Sequence, residues 1–97
     1  MRQFDVVRLK GGELVVVLQS DLLDHFSTRV VVPLLPPAEV HPTPRLHPLI
    51  RVGRRNYIIA IEQITTVRAT DVVAVLGTAK SIEYEIRRAF DIIWMGV

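Results

Sequence analysis

A single change of period divides this chain. As far as Thr78 the apolar residues come in short β-branched runs separated by glycine, proline and polar clusters. From Ser81 glycine and proline vanish until Gly96, and the apolar spacing lengthens from about two to about 3.6. Ile82, Ile86, Ala89, Phe90, Ile93 and Val97 then share one helical face. Glu83 with Arg87 and Arg87 with Asp91 stand at i,i+4 on the solvent side, each pair worth about 0.2–0.5 kcal/mol. Ser81 or Thr78 is placed to cap the start, and the two residues after Met95 leave no room for a C-terminal cap. A switch this late gives a mainly β domain, residues 1–97, closed by one C-terminal α-helix.

The β part reads as a series of hairpins. Phe4–Leu9 and Leu14–Gln19 flank the turn cluster Lys10-Gly11-Gly12-Glu13. The second run is continuous rather than alternating, so it is a strand buried on both faces or one whose second face meets another chain. Ser20–His25 interrupts it, and Arg29–Leu35 follows, with Pro33 expected at a sheet edge or at the strand's end. Pro36–Pro44 is an extended surface loop, since its prolines fix φ and remove donors. Leu49–Val52 and Tyr57–Ile61 flank the polar turn Gly53-Arg54-Arg55-Asn56. Glu62–Val67 is a short helical turn or a loop, and Asp71–Leu76 is a last valine-rich strand closed by Gly77.

Such a chain holds more apolar residues than one small core hides. They make up 49% of 97 residues, the mean hydropathy is +0.32, and a domain of this size buries roughly 60–65% of its unfolded surface. A membrane span does not account for the excess: Leu14–Leu18, Val30–Ala38 and Val72–Leu76 are far short of the ~20 residues required. Self-association does. No signal peptide is visible at Met1–Val6, so the expected location is the cytoplasm. The chain has no cysteine, hence no disulfide framework and no thiolate chemistry.

Twelve basic residues face ten acidic ones, and ten of the twelve are arginine, a residue as suited to ion pairs at protein interfaces as to phosphate. Composition alone does not choose between protein partners and nucleic acid. There is no Gly-rich phosphate loop, no nucleophile elbow and no His-Glu-x-x-His. His41 and His47 lack zinc-ligand spacing and read as exposed loop histidines. No metal, cofactor or catalytic site is expected. One weak enzymatic set remains, with Arg29, His25, Asp24 and the Arg54-Arg55 pair supplying charge stabilisation, a base and a basic groove for RNA cleavage. A solvated turn explains Arg54-Arg55 equally well.

The helix end is the unusual feature. Ile93 falls on the core face, but Ile92, Trp94 and Met95 point away from it at roughly 100° intervals. Tryptophan and methionine are enriched at protein interfaces, and tryptophan is a frequent hot spot.

Several stretches resemble the CcdB family of toxins. They are Gln3-Phe4-x-Val6, Val17-Leu18-Gln19-Ser20-Asp21-Leu22-Leu23-Asp24, Arg29-x-Val31-Val32-Pro33-Leu34, Leu46-x-Pro48-Leu49-Ile50-x-Val52-Gly53, Ile86-Arg87-x-Ala89-x-x-Ile92 and the terminal Gly96-Val97. The resemblance implies an SH3-like β-barrel, shared with MazF-like toxins, with a small extra sheet and a C-terminal helix, assembled as a homodimer. It implies the toxin of a type II toxin–antitoxin system of the plasmid-maintenance kind. Such a toxin is a non-catalytic topoisomerase poison that binds the A subunit of DNA gyrase, traps the enzyme on cleaved DNA and is neutralised by a CcdA-like antitoxin. The resemblance thus implies protein partners and no direct nucleic-acid contact. The implied gyrase site is the helix end, Asp91, Trp94, Met95, Gly96 and Val97, extended by Leu22 and Leu23. Where the family ends Phe-Trp-Gly-Ile, this chain ends Trp94-Met95-Gly96-Val97, so a thioether stands where the family has an indole, and Asp91 replaces an asparagine. Two alternatives accompany this reading: a CcdB-fold toxin or relic that binds another target, and a MazF-like endoribonuclease.

Overall fold

The computed structural model describes residues 1–96. β1 (Asp5–Leu9) and β2 (Leu14–Val17) pair antiparallel with Val7 opposite Val15. Gly12, at φ +95°, makes their turn, and its N–H donates to Leu9 O at 2.9 Å; a side chain there would be strained. β3 (Thr28–Leu35) returns along β2. β4 (Leu49–Val52) and β5 (Arg55–Ile59) form the second hairpin, with a turn of only Gly53-Arg54, so Arg55 and Asn56 belong to the strand. β6 (Thr65–Arg68) and β7 (Val72–Thr78) precede α1 (Glu83–Met95).

The sheet runs β4-β5-β3-β2-β1-β7, with β6 also on β3. Two lengths of β3 therefore have different partners on one side: Thr28–Val31 pair with β6, and Leu34–Leu35 pair with β5. Pro33 lies inside this strand, not at its end. Its carbonyl accepts from Ala60 N at 3.0 Å, and a strand residue's N–H points the same way as its carbonyl. The missing donor thus falls where β3 passes from one partner to the other, and costs no ladder bond. The segment after Glu62 also differs from expectation. A helical turn occupies Ile61–Gln63, but Thr65–Arg68 is a strand, because β-branched Thr65, Thr66 and Val67 satisfy the free backbone edge of β3.

β6 and β7 sit at opposite edges of the set β6-β3-β2-β1-β7, yet only Ala69–Asp71 joins them. So short a link requires the five strands to curl into an SH3-like half-barrel. β4, β5 and the end of β3 form the small extra sheet. At the link, Arg68 reaches both Asp71 oxygens at 3.1 and 3.3 Å, and Lys10 Nζ lies 3.9 Å away. The Arg68 hydrogen bonds hold the Asp71 carboxyl below the usual aspartate value.

The core lies on both faces of the curl. Val16, with Val6, Val32, Ile59, Ile61 and Ile86, packs beneath α1, whereas Val15 and Val17 pack with Val7, Leu9 and Val31 on the opposite face. The continuous valine run is a strand buried on both sides by its own chain. The last valine strand is not: Val73 and Val75 are each 53% exposed on the outer edge. Gly77 lies inside β7, opposite Val6, where the register with β1 shifts.

α1 starts later than Ser81. A helical turn over Lys80–Ile82 leads in, and neither Ser81 nor Thr78 caps α1: its N-cap is Ile82, without a side-chain bond, while Thr78 Oγ1 accepts from Lys80 N at 3.1 Å ahead of the turn. Arg87 bonds Glu83 at 2.7 Å and forms no ion pair with Asp91. At the far end a cap does form. Gly96 takes φ +76° and donates its N–H to Ile92 O at 2.8 Å, a left-handed closure that glycine adopts without strain.

His47 is buried rather than exposed. Thr43 N donates to its Nδ1 at 2.9 Å, which assigns the ring proton to Nε2, and Nε2 faces both Glu62 oxygens at 2.9 Å. This ring pins the proline loop to the turn before β6. His47→Ala removes a buried ring together with its hydrogen bonds to Thr43 N and Glu62 and is expected to lower stability by about 1–3 kcal/mol, read as an earlier urea midpoint with an unchanged slope.

Candidate functional site

The loop after β2 is held by short-range chemistry. Ser20 Oγ accepts from Leu22 N at 3.2 Å and caps a helical turn over Asp21–Leu23. Asp21 accepts from Gln3 N at 2.8 Å. The nearly buried Gln19 amide donates to Leu23 O at 2.8 Å and accepts from Val30 N at 3.1 Å, tying the loop to the start of β3. Arg29 donates to the carbonyls of Asp24, Phe26 and Thr28. Those bonds make Arg29 a brace for the loop, and they occupy the guanidinium that an RNA-cleaving set would need. His25 stands edge-on to Phe26, ring centroids 4.5 Å apart.

Loop and helix face each other across a groove of about 670 Å³. Ile86, Arg87, Phe90 and Asp91 of α1 line it on the helix side, Leu18, Gln19, Leu23 and Phe26 on the loop side, and Ile64 and Thr66 also line it. At the floor Phe4 takes φ +69°, a conformation costly for a residue with a Cβ. Its N–H donates to Val17 O and its carbonyl accepts from Ala79 N, both at 2.7 Å, and the Arg87 guanidinium lies 5.7 Å from its ring centroid.

The structure therefore brings Asp91 and Leu23 to one groove. Leu22 stands on the loop crest, 86% exposed. Trp94 and Met95, 76% and 65% exposed, lie beyond the groove on the last turn of α1, where Gly96 ends the helix. Val97 lies outside the described residues. Ile93, expected on the core face, is 43% exposed because the elements beneath α1 cover Ile86 and Ala89 and reach no further. Phe26, Ile64 and Phe90, all more than a third exposed, also line the groove; the sequence places Phe90 on the core face of the helix and gives Phe26 and Ile64 no role. Phe90 carried a signal in its helical spacing; Phe26 and Ile64 sit in stretches without a period.

None of the described residues forms a cluster of three metal-ligating side chains. Among the described residues no helix is long and apolar enough to cross a membrane. The chemistry offered is recognition: an apolar trough with a carboxylate and a guanidinium on its rim, continued by an exposed aromatic helix end.

Comparison with known proteins places this geometry. Among curated proteins none matches. A mycobacterial endoribonuclease solved in complex with its cognate antitoxin superposes with a TM-score of 0.80 over 97% of this chain and 94% of its own, at 14% identity. A second mycobacterial endoribonuclease gives 0.77 over 97% and 90%, at 15% identity. The Mycobacterium tuberculosis toxin MazF-mt6 gives 0.77 over 96% of each chain, at 14% identity. At these identities the likeness is one of fold. The sequence profile described as CcdB protein, in contrast, matches residues 3–96, which takes in every strand, the groove and the capped helix end: the chain belongs to the CcdB family.

Proposed function

We propose that this protein is the toxin of a type II toxin–antitoxin pair and acts by binding the A subunit of DNA gyrase, trapping the enzyme on cleaved DNA. The observation that carries the reading is the helix end. In a chain matched to the CcdB family over residues 3–96, Trp94 and Met95 are presented to solvent by a helix whose base is anchored in the core. The groove between Leu23 and Asp91 extends that surface. The toxin acts in the cytoplasm as a homodimer, which covers part of the apolar surface left by Val73 and Val75. A CcdA-like antitoxin neutralises it, with arginines near the site pairing with antitoxin carboxylates. It needs no cofactor.

The test is expression in a gyrase-bearing host together with a pull-down against the gyrase A subunit. Arrested growth, relieved by the adjacent small gene, and retention of the subunit are expected. Unimpaired growth at good expression refutes the toxin reading. Arrest without retention of the subunit moves the target elsewhere, as in the reading of a CcdB-fold toxin with a changed partner.

The endoribonuclease reading is favoured by one observation, the shared fold of the mycobacterial endoribonucleases. It requires the purified protein to cleave RNA and to lose that activity on His25→Ala.

A further inference from the structure

The formal charge of +2 conceals an asymmetry. Residues 40–61 hold Arg45, Arg51, Arg54 and Arg55 and no acidic residue, while the rest of the chain carries eight basic residues against ten acidic. The basic segment therefore comprises the β4–β5 hairpin and the loop leading into it; Glu62, bonded to His47, and Glu39, on a turn that touches β5, are acidic residues packed beside it. None of these guanidiniums is ion-paired: among the described residues, no carboxylate lies within 4.0 Å of Arg45, Arg51, Arg54 or Arg55, and Arg51 donates only its Nε, to the Gly53 carbonyl at 3.2 Å, which leaves its terminal nitrogens for a ligand.

The register fixes how they are displayed. Val52 pairs with Arg55 and Arg51 with Asn56, so Arg51 and Arg55 project from opposite faces of the ribbon while Arg54 occupies the two-residue turn. All three are exposed. We propose that the β4–β5 hairpin binds duplex DNA, entering the major groove tip first with Arg51 and Arg55 on its two phosphate walls. A two-stranded ribbon fits the major groove of B-form DNA, about 12 Å wide, and not the deep, narrow one of A-form RNA. Guanidiniums match phosphate oxygens bidentately. Single strands are disfavoured because the hairpin offers no stacking platform: its one aromatic, Tyr57, is packed on the core. An acidic protein is disfavoured because the tip has no apolar anchor, the exposed Leu49 lying at the opposite end of the hairpin, across from Ile58. The overall charge balance gave no hint of this, because acidic residues elsewhere offset the basic segment.

The experiment is fluorescence anisotropy of a labelled 20-base-pair duplex with the full chain, at 50 and 200 mM salt. Three phosphate contacts predict a slope of about −2.7 and an affinity loss of about forty-fold between the two salts. Arg54→Gln with Arg55→Gln should cut that loss to about three- to four-fold, Arg54→Lys with Arg55→Lys should retain it, and the equally charged control Arg8→Gln with Lys80→Gln should leave it unchanged. Near-identical circular dichroism keeps the comparison on binding. Absence of duplex binding at 50 mM overturns the proposal. So does an equal effect of the control pair, equal affinity for the single strand, or equal displacement by polyglutamate of matched charge. None of these outcomes bears on gyrase binding, which is read separately by the pull-down.

Discussion

Trp94→Ala is expected to abolish growth arrest while leaving the thermal unfolding of the protein unchanged. The indole is three-quarters exposed and lies outside both core clusters, so its removal leaves no cavity. At an interface the same truncation removes a large flat apolar surface, and hot spots of this kind cost about 2 kcal/mol or more, at least about thirty-fold in Kd. Titration of the gyrase A subunit onto the immobilised protein measures the loss. Met95→Ala follows the same direction with a smaller effect, since methionine fills an irregular surface without giving a rigid contact. Met95→Trp, which restores the family's indole at that position, is expected to tighten binding. A Trp94→Ala protein that remains fully toxic and binds gyrase unchanged refutes the assignment of the site.

Ile86→Ala has the opposite profile. Ile86 is 2% exposed, packs with Val6, Val16, Ile59 and Ile61, and also forms part of the groove wall. Large-to-small truncation in such a setting costs about 2–5 kcal/mol, and in a domain of this length that lowers Tm by about 10 °C or more. Differential scanning calorimetry reads it directly. Ile93→Ala, about two helical turns further along the same face but 43% exposed, is expected to shift Tm by no more than a few degrees. The pair separates the part of α1 that holds the fold from the part that meets a partner. Equal losses at the two positions contradict that division.

The helix was legible because Ile82, Ile86, Ala89, Phe90 and Ile93 recur at helical spacing, and the hairpins because Gly12 and Gly53 mark tight turns between β-branched runs. β6 was not, since Thr65 and Thr66 face solvent and give no alternation. Its strand character comes from the unsatisfied edge of β3, which only the folded topology supplies. His47 escaped for a related reason: histidine in a proline loop reads as solvent-exposed unless its distant partner, Glu62, is known. The helix end as a recognition surface could be read because Trp94 and Met95 diverge from the core face by rotation alone. The groove that continues it could not. Its walls come from four separate stretches of chain, and Phe26 and Ile64 acquire a common purpose only when β3 and β6 pair.

The pairing of β1 with β7 sets the order in which the molecule can be assembled. Asp5 lies opposite Thr78, so a chain leaving the ribosome carries β1 with one edge unpaired until nearly the whole β region has emerged. Such distant pairing makes folding slow and late. α1 follows β7 directly, and its buried face needs a finished sheet to dock on. The exposed helix end is thus presented only after β7 has emerged and paired with β1, and a product truncated before β7 cannot present it.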